Sequence, residues 1–230
     1  MSINTFFFLL IILFPGVINP FFPFFGRPKQ ERIVTIMLDP AGDAQHTGRK
    51  IDDTFERSVT LIFAQELKES LEKAYPSIQV VLTRNAGETV TSLQNANFAN
   101  RLNVDLFLSI NFYQETSVKP KAYLYNFSYN DDFITQKNEL SFCRYDQAHL
   151  FNYPTTRQYG LIIKQEMESD PYKALFECIQ LNKAPIKPCI GIKSPAIALE
   201  AGLHKADDWQ LYIDPLTASL KPIIEKLQNQ

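Results

Sequence analysis

Ile33-Val34-Thr35-Ile36-Met37-Leu38, followed at once by Asp39-Pro40, is the stretch from which the fold can be read. It is a short apolar run, partly β-branched and without polar alternation, as in a strand covered on both faces. A polar, glycine-containing loop follows to about Ile51. From Thr54 to Tyr75 the apolar residues fall at Phe55, Val59, Ile62, Phe63, Leu67, Leu71 and Ala74, the spacing of one helix face. Asp53 precedes this helix with Glu56 three residues on, a capping-box spacing that would explain Glu56 without any function. Ile78 to Leu82 reads as the next strand, residues around Ala96 to Asn100 as a short helix, and Val104 to Ile110 as a third strand. Strand, helix, strand, helix, strand at these lengths predicts an α/β fold. The sheet should be mixed, mainly parallel and flanked by helices.

Further along, residues 112–160 are rich in Tyr and Phe within a polar background and read as an insertion of strands and loops. Tyr159 to about Leu181 reads as a helix broken near Asp170-Pro171, Ala196 to Leu199 as a buried strand, and Ile213 to Leu227 as a closing helix. Together residues 30–230 make a single domain. The 230 residues carry a formal charge of -2 with 45% apolar residues, an ordinary globular balance that gives no support to nucleic-acid binding. Residues 1–29 are different: no charge occurs before Arg27, and Phe6 to Phe14 is an unbroken apolar run. Its length suits a secretory signal or a membrane anchor, which places the protein outside the cytoplasm or on the membrane. Cys143, Cys178 and Cys189 form an odd set, in which Cys178 and Cys189 either pair or stay buried as thiols. Asn126-Phe127-Ser128 fits the acceptor pattern for glycosylation, which matters only in a eukaryotic secretory host.

Ligands of open α/β sheets collect beyond the carboxyl ends of the strands. Asp39, Asn111 and Glu200 fall there, and Asp43, His46 and Glu56 can face the same edge. Asp39 before Pro40 suits turn hydrogen bonds, and Glu200 needs water or a partner. The aromatic residues from Tyr113 to Tyr159 either pack the insertion against the sheet or present faces for sugar rings.

These segments resemble the zinc-dependent N-acetylmuramoyl-L-alanine amidases of bacterial cell walls. Leu38-Asp39-Pro40-Ala41-Gly42-Asp43-Ala44 is similar to the family's LDPGHGG. Glu56, Leu61, Ala64 and Leu67 match its first helix, and Leu82-Thr83-Arg84 its LTR. Ala99-Asn100 and Asp105-Leu106-Phe107-Leu108-Ser109-Ile110-Asn111 correspond to its AN and DLFxSIH segments. Pro195 to Gly202 corresponds to PAxLxExG. The resemblance implies peptidoglycan or its fragments as ligand, zinc as cofactor, an envelope location, Glu56 as a metal ligand and Glu200 as the catalytic proton carrier. Gly42 and Asn111 stand where the family has its two histidine ligands. The expectation is a homologue with a degraded zinc site that binds or regulates. The alternatives are an active amidase with a metal site rebuilt around His46, and a membrane-tethered scaffold for protein contacts. His149 and His204 are expected on the surface or in packing.

Overall fold

The computed structural model describes residues 32–128 and 144–230. The chain divides into units 1–30 and 31–230, and all described residues belong to the second. The apolar leader and Cys143 lie outside the described residues.

The elements are β1 (Val34–Pro40), a small hairpin of β2 (Lys50–Ile51) and β3 (Thr54–Phe55), α1 (Glu56–Ala74), β4 (Ile78–Leu82) and α2 (Ser92–Leu102). Then follow β5 (Leu106–Gln114), β6 (Lys121–Phe127), α3 (Tyr153–Met167), β7 (Glu177–Ala184), β8 (Ala196–Leu203) and α4 (Ile213–Gln228). Six strands form one sheet in the order β4-β1-β5-β8-β6-β7. β4, β1, β5 and β8 run parallel, β6 is antiparallel to β8, and β7 pairs parallel with β6. The expected single α/β domain with a mixed, mainly parallel sheet is the fold observed.

The unbroken apolar character of β1 has a direct cause, because its two faces enter two cores. Val34, Ile36 and Leu38 join a large cluster with α1, α3 and α4, whereas Met37 points into a smaller one with Ala96 and Ala99 of α2 and Phe107. On α1, Val59, Phe63, Leu67 and Leu71 form the buried stripe that the periodicity predicts. Phe63 meets Phe112 of β5 edge to face, with centroids 5.1 Å apart, and so locks helix to sheet. α2 starts earlier than expected because Thr91 and Gln94 form a reciprocal capping box. It stops at Asn103, which takes the left-handed conformation, φ 49°.

Several expectations change. β5 and β8 run on to Gln114 and Leu203, so Asn111 and Glu200 lie within paired strands instead of just beyond them. The helix read as far as Leu181 ends at Met167, and its tail is β7. There the ladder to β6 outweighs a helical continuation that Pro171 already interrupts. The aromatic-rich stretch supplies a full strand of the sheet, β6, between β8 and β7. Cys178 and Cys189 are free, buried thiols in different apolar clusters.

Replacing Phe63 by Ala removes the ring that joins α1 to β5. The expected cost is about 3–5 kcal/mol, read as a lower denaturant midpoint in equilibrium unfolding.

Candidate functional site

Beyond the carboxyl end of β1 a cleft of about 670 Å³ opens, lined by Asp39, Gly42, Asp43, His46, Glu56 and Asn111 among others. Its loop is anchored from β4. The Arg84 guanidinium donates to the carbonyls of Pro40 at 3.1 Å, Ala41 at 3.1 Å and Arg57 at 2.9 Å, and so ties the loop to α1. Thr60 adds a 2.7 Å bond from its hydroxyl to the Ala41 carbonyl. Asp39 makes no turn of its own. It is buried at the end of β1, accepting from the Thr83 hydroxyl at 2.7 Å and the Asn95 amide at 2.8 Å. Burial raises its pKa, against the pull of Thr83, Ser109 and the Arg84 charge.

Glu56 departs from its expected role as a cap. The β2–β3 hairpin puts Phe55, not Asp53, at the N-cap, and no side chain caps the helix there. Glu56 is instead the first helical residue, 5% exposed, with its carboxylate turned into the fold. Oε1 accepts the Phe112 amide and Oε2 the Arg49 amide, each at 3.0 Å. Gly48, at φ +74°, presses on the same carboxylate; a Cβ there would lie 2.7 Å from Oε2. Only glycine fits.

Glu200 faces the same region from β8, opposite Asn111 of β5 and Tyr123 of β6. Its Oε1 is 2.5 Å from the Arg49 guanidinium, and its Oε2 accepts the Tyr125 hydroxyl at 3.1 Å. Burial and the Glu200 charge push the Tyr125 hydroxyl up to about 12, so it remains a donor at neutral pH. Asn111 donates its side-chain amide to the Leu199 carbonyl and the Ser109 hydroxyl, both at 3.3 Å. Gly42 has φ +74°, and a Cβ there would lie 2.8 Å from Arg57 Cβ.

His46 lines the cleft, but its Nδ1 sits 3.0 Å from Asp43 and its side chain is 75% exposed. Burial alone would raise the Asp43 pKa. The amides of His46 and Gln45 and the His46 ring outweigh it and hold the carboxyl below its ordinary value. His204 bonds the Ser117 carbonyl at 2.7 Å, and His149 packs edge to face against Phe127. Among the described residues, no three or more His, Cys, Asp or Glu side chains group to hold a metal ion.

Sequence reasoning missed Arg49, and it picked out the aromatic stretch without the row that three of its half-buried tyrosines form. The rings of Tyr113, Tyr123 and Tyr125 follow one another at centroid spacings of 6.4 Å, with Arg49 6.0 Å over Tyr113. Alternation along β6 signals the last two; nothing local signals Arg49, because the hairpin fold brings it to β8.

Comparisons with known proteins identify the family and the fold. A family model described as N-acetylmuramoyl-L-alanine amidase matches residues 36–214. The chain belongs to that family. N-acetylmuramoyl-L-alanine amidase CwlM of Bacillus licheniformis is 35% identical over 78 residues, which is 34% of this chain and 31% of the relative. The matched stretch thus spans about a third of that protein's length. Among solved structures, amidase Ami1 from Mycobacterium smegmatis aligns at TM-score 0.63 and 13% identity, covering 85% of this chain and 99% of that one. The catalytic domain of the amidase CwlV from Bacillus (Paenibacillus) polymyxa var. colistinus aligns at 0.60 and 16%, covering 84% and 99%. At such identities these structures establish the shared fold.

Two outcomes follow for the carboxylates. Glu56→Gln turns an NH2 group against a backbone amide, leaving buried donors opposed, and should cost about 1–3 kcal/mol in denaturant unfolding. Glu115, just past β5, accepts the Tyr113 hydroxyl and the amides of Thr116 and Ser117. Burial raises its pKa, but these donors outweigh burial and hold it at about 2. A carboxyl lowered on folding stabilises the protein above its unfolded value, and that gain is lost as pH falls toward 2. Glu115→Gln should therefore lower stability at neutral pH and flatten its slope between the ordinary carboxylate range and pH 2, measured by urea unfolding across pH.

Proposed function

We propose that this amidase homologue binds peptidoglycan fragments in its cleft, or regulates a partner there, without zinc-dependent hydrolysis of the N-acetylmuramoyl-L-alanine amide. The reading rests on the ligand positions. A catalytic zinc takes three protein ligands and keeps a place for water. Of the three family positions, Gly42 has no side chain, and Asn111 offers an amide already donating to Leu199 and Ser109. Glu56 has both carboxylate oxygens engaged by backbone amides. These residues do not fit the ion.

The protein groups that remain suit binding. The cleft loop is fixed by Arg84 and Thr60, so a ligand meets a preformed surface. Glu200 is held by Arg49 and Tyr125, which fixes its place in the site. A second reading, an amidase rebuilt around His46, draws on the shared lining of the cleft by His46, Asp43 and Glu56. Against it stands the Nδ1 contact of His46 with Asp43.

The family's cell-wall setting and the apolar leader together support export or membrane anchorage as part of this proposal. No helix among the described residues is long and apolar enough to cross a membrane.

The test is a digestion and a sedimentation assay on purified peptidoglycan sacculi with added zinc chloride. The expected result is co-sedimentation without release of stem peptides. Zinc-dependent, chelator-sensitive release by the wild-type chain would overturn the proposal, and its loss in His46→Ala would establish the rebuilt site.

A further inference from the structure

One face of the sheet carries aromatic groups that the cleft does not use. Asn111 lines the cleft, and Tyr113 follows it on the same face of β5. Opposite Tyr113 on β8 is Gly202, where a Cβ would lie 3.0 Å from the Tyr113 hydroxyl. The missing side chain lets the tyrosine reach across β8. Its hydroxyl meets Glu115 Oε2 at 2.9 Å and the Lys121 carbonyl of β6, the strand beyond, at 3.3 Å. Tyr123 lies 6.4 Å from Tyr113, and Tyr125 lies 6.4 Å further on, its ring within 24° of parallel to that of Tyr123. Each of these tyrosines is half-buried, so part of every ring meets solvent. Packing does not explain the row: Tyr113 and Tyr123 belong to neither apolar cluster, and Tyr125 only borders the smaller one. None of the three lines the cleft. Glu200 stands opposite Tyr123, held by Arg49 and Tyr125. The Arg49 side chain is 49% exposed and carries more N–H donors than Glu200 can accept.

We propose that the face formed by Tyr113, Tyr123 and Tyr125 is a second binding subsite, which takes the sugar rings of a neutral, linear aminosugar chain. The inference rests on the reading of the cleft as a site for peptidoglycan fragments and deepens it, by assigning the glycan to the sheet face beside the cleft. The C–H groups on the flat side of a sugar ring carry slight positive charge, and they pack on the negative face of an aromatic ring. A row of rings offers such a face to successive sugars of one chain. Arg49 and Glu200, set beside the row, supply a donor and an acceptor for ring hydroxyls and acetamido groups. The rings are also fixed before a ligand arrives, Tyr113 by Glu115 and Lys121 and Tyr125 by Glu200. Binding then loses little side-chain freedom.

The experiment uses the full chain and tetra-N-acetylchitotetraose, a peptide-free chain of N-acetylglucosamine units. Titration calorimetry is the readout, and urea unfolding of each variant checks its folding. Wild type should bind saturably. Tyr123→Ala removes the middle ring and should weaken binding about tenfold, whereas Tyr123→Phe keeps the ring and should stay within about twofold of wild type. Should Tyr123→Ala not fold, Tyr123→Leu keeps apolar bulk without an aromatic face, and the same loss is expected. Absence of saturable binding by the wild-type chain overturns the inference. So does binding that the folded Ala or Leu variant leaves unchanged, or a loss that Tyr123→Phe shares. Failure of the cleft reading is distinguishable. Co-sedimentation with sacculi without binding of the oligosaccharide overturns the sugar face and leaves the cleft reading standing. Oligosaccharide binding alongside zinc-dependent peptide release overturns the zinc-free reading and supports the sugar face.

Discussion

A carboxylate taken out of water must be met by donors, and in this protein the way Glu56 is met organises the region around the cleft. Its two oxygens accept amides from residues far apart in sequence, Arg49 of the loop just before β2 and Phe112 of β5. The bond to Phe112 ties the start of α1 to the sheet, and the bond to Arg49 closes the β2–β3 hairpin against the same turn of helix. The helix N-terminus adds its own favourable field for the negative charge. Gly48 is forced by this arrangement, because any side chain there would strike the carboxylate. The residue that the family resemblance would make a metal ligand is here the keystone of a hydrogen-bonded joint.

That joint is one of several contacts within the protein that fix the shape of the cleft. The loop after Asp39 is held by Arg84 and Thr60 through backbone carbonyls, none of which depends on an ion. Asn111 is held by β8, and Glu200 by Arg49 and Tyr125. Each of these groups has a protein partner. The loop closes tightly at Gly42, whose positive φ and close approach to Arg57 disfavour a side chain. Putting histidine back at position 42 would therefore strain the backbone as well as add a ligand.

The sheet was legible because its signals are local. β1 and β4 are short apolar runs, α1 carries a regular stripe, and the order of elements leaves few topologies. The errors arose where a long-range pairing decided the outcome. β7 looked helical until its ladder with β6 was formed, and β5 and β8 extend each other beyond their apolar centres through mutual register. The site was legible as a set of positions: Asp39, Gly42, Asp43, Glu56 and Asn111 do line one cleft, with Glu200 opposite Asn111 in the adjoining strand. What each does there was not. The spacing of Asp53 and Glu56 pointed to a cap, and only the hairpin shows Glu56 turned inward. Arg49 sits in a polar loop with no pattern of its own, so its pairing with Glu200 required the fold.

Metal content decides whether this cleft works without zinc. The full chain, purified without chelator and dialysed against metal-free buffer, can be assayed for zinc by elemental analysis beside its Glu56→Gln variant. The account predicts zinc far below one ion per chain in both proteins. One tightly held zinc per wild-type chain, lost in Glu56→Gln, would contradict it.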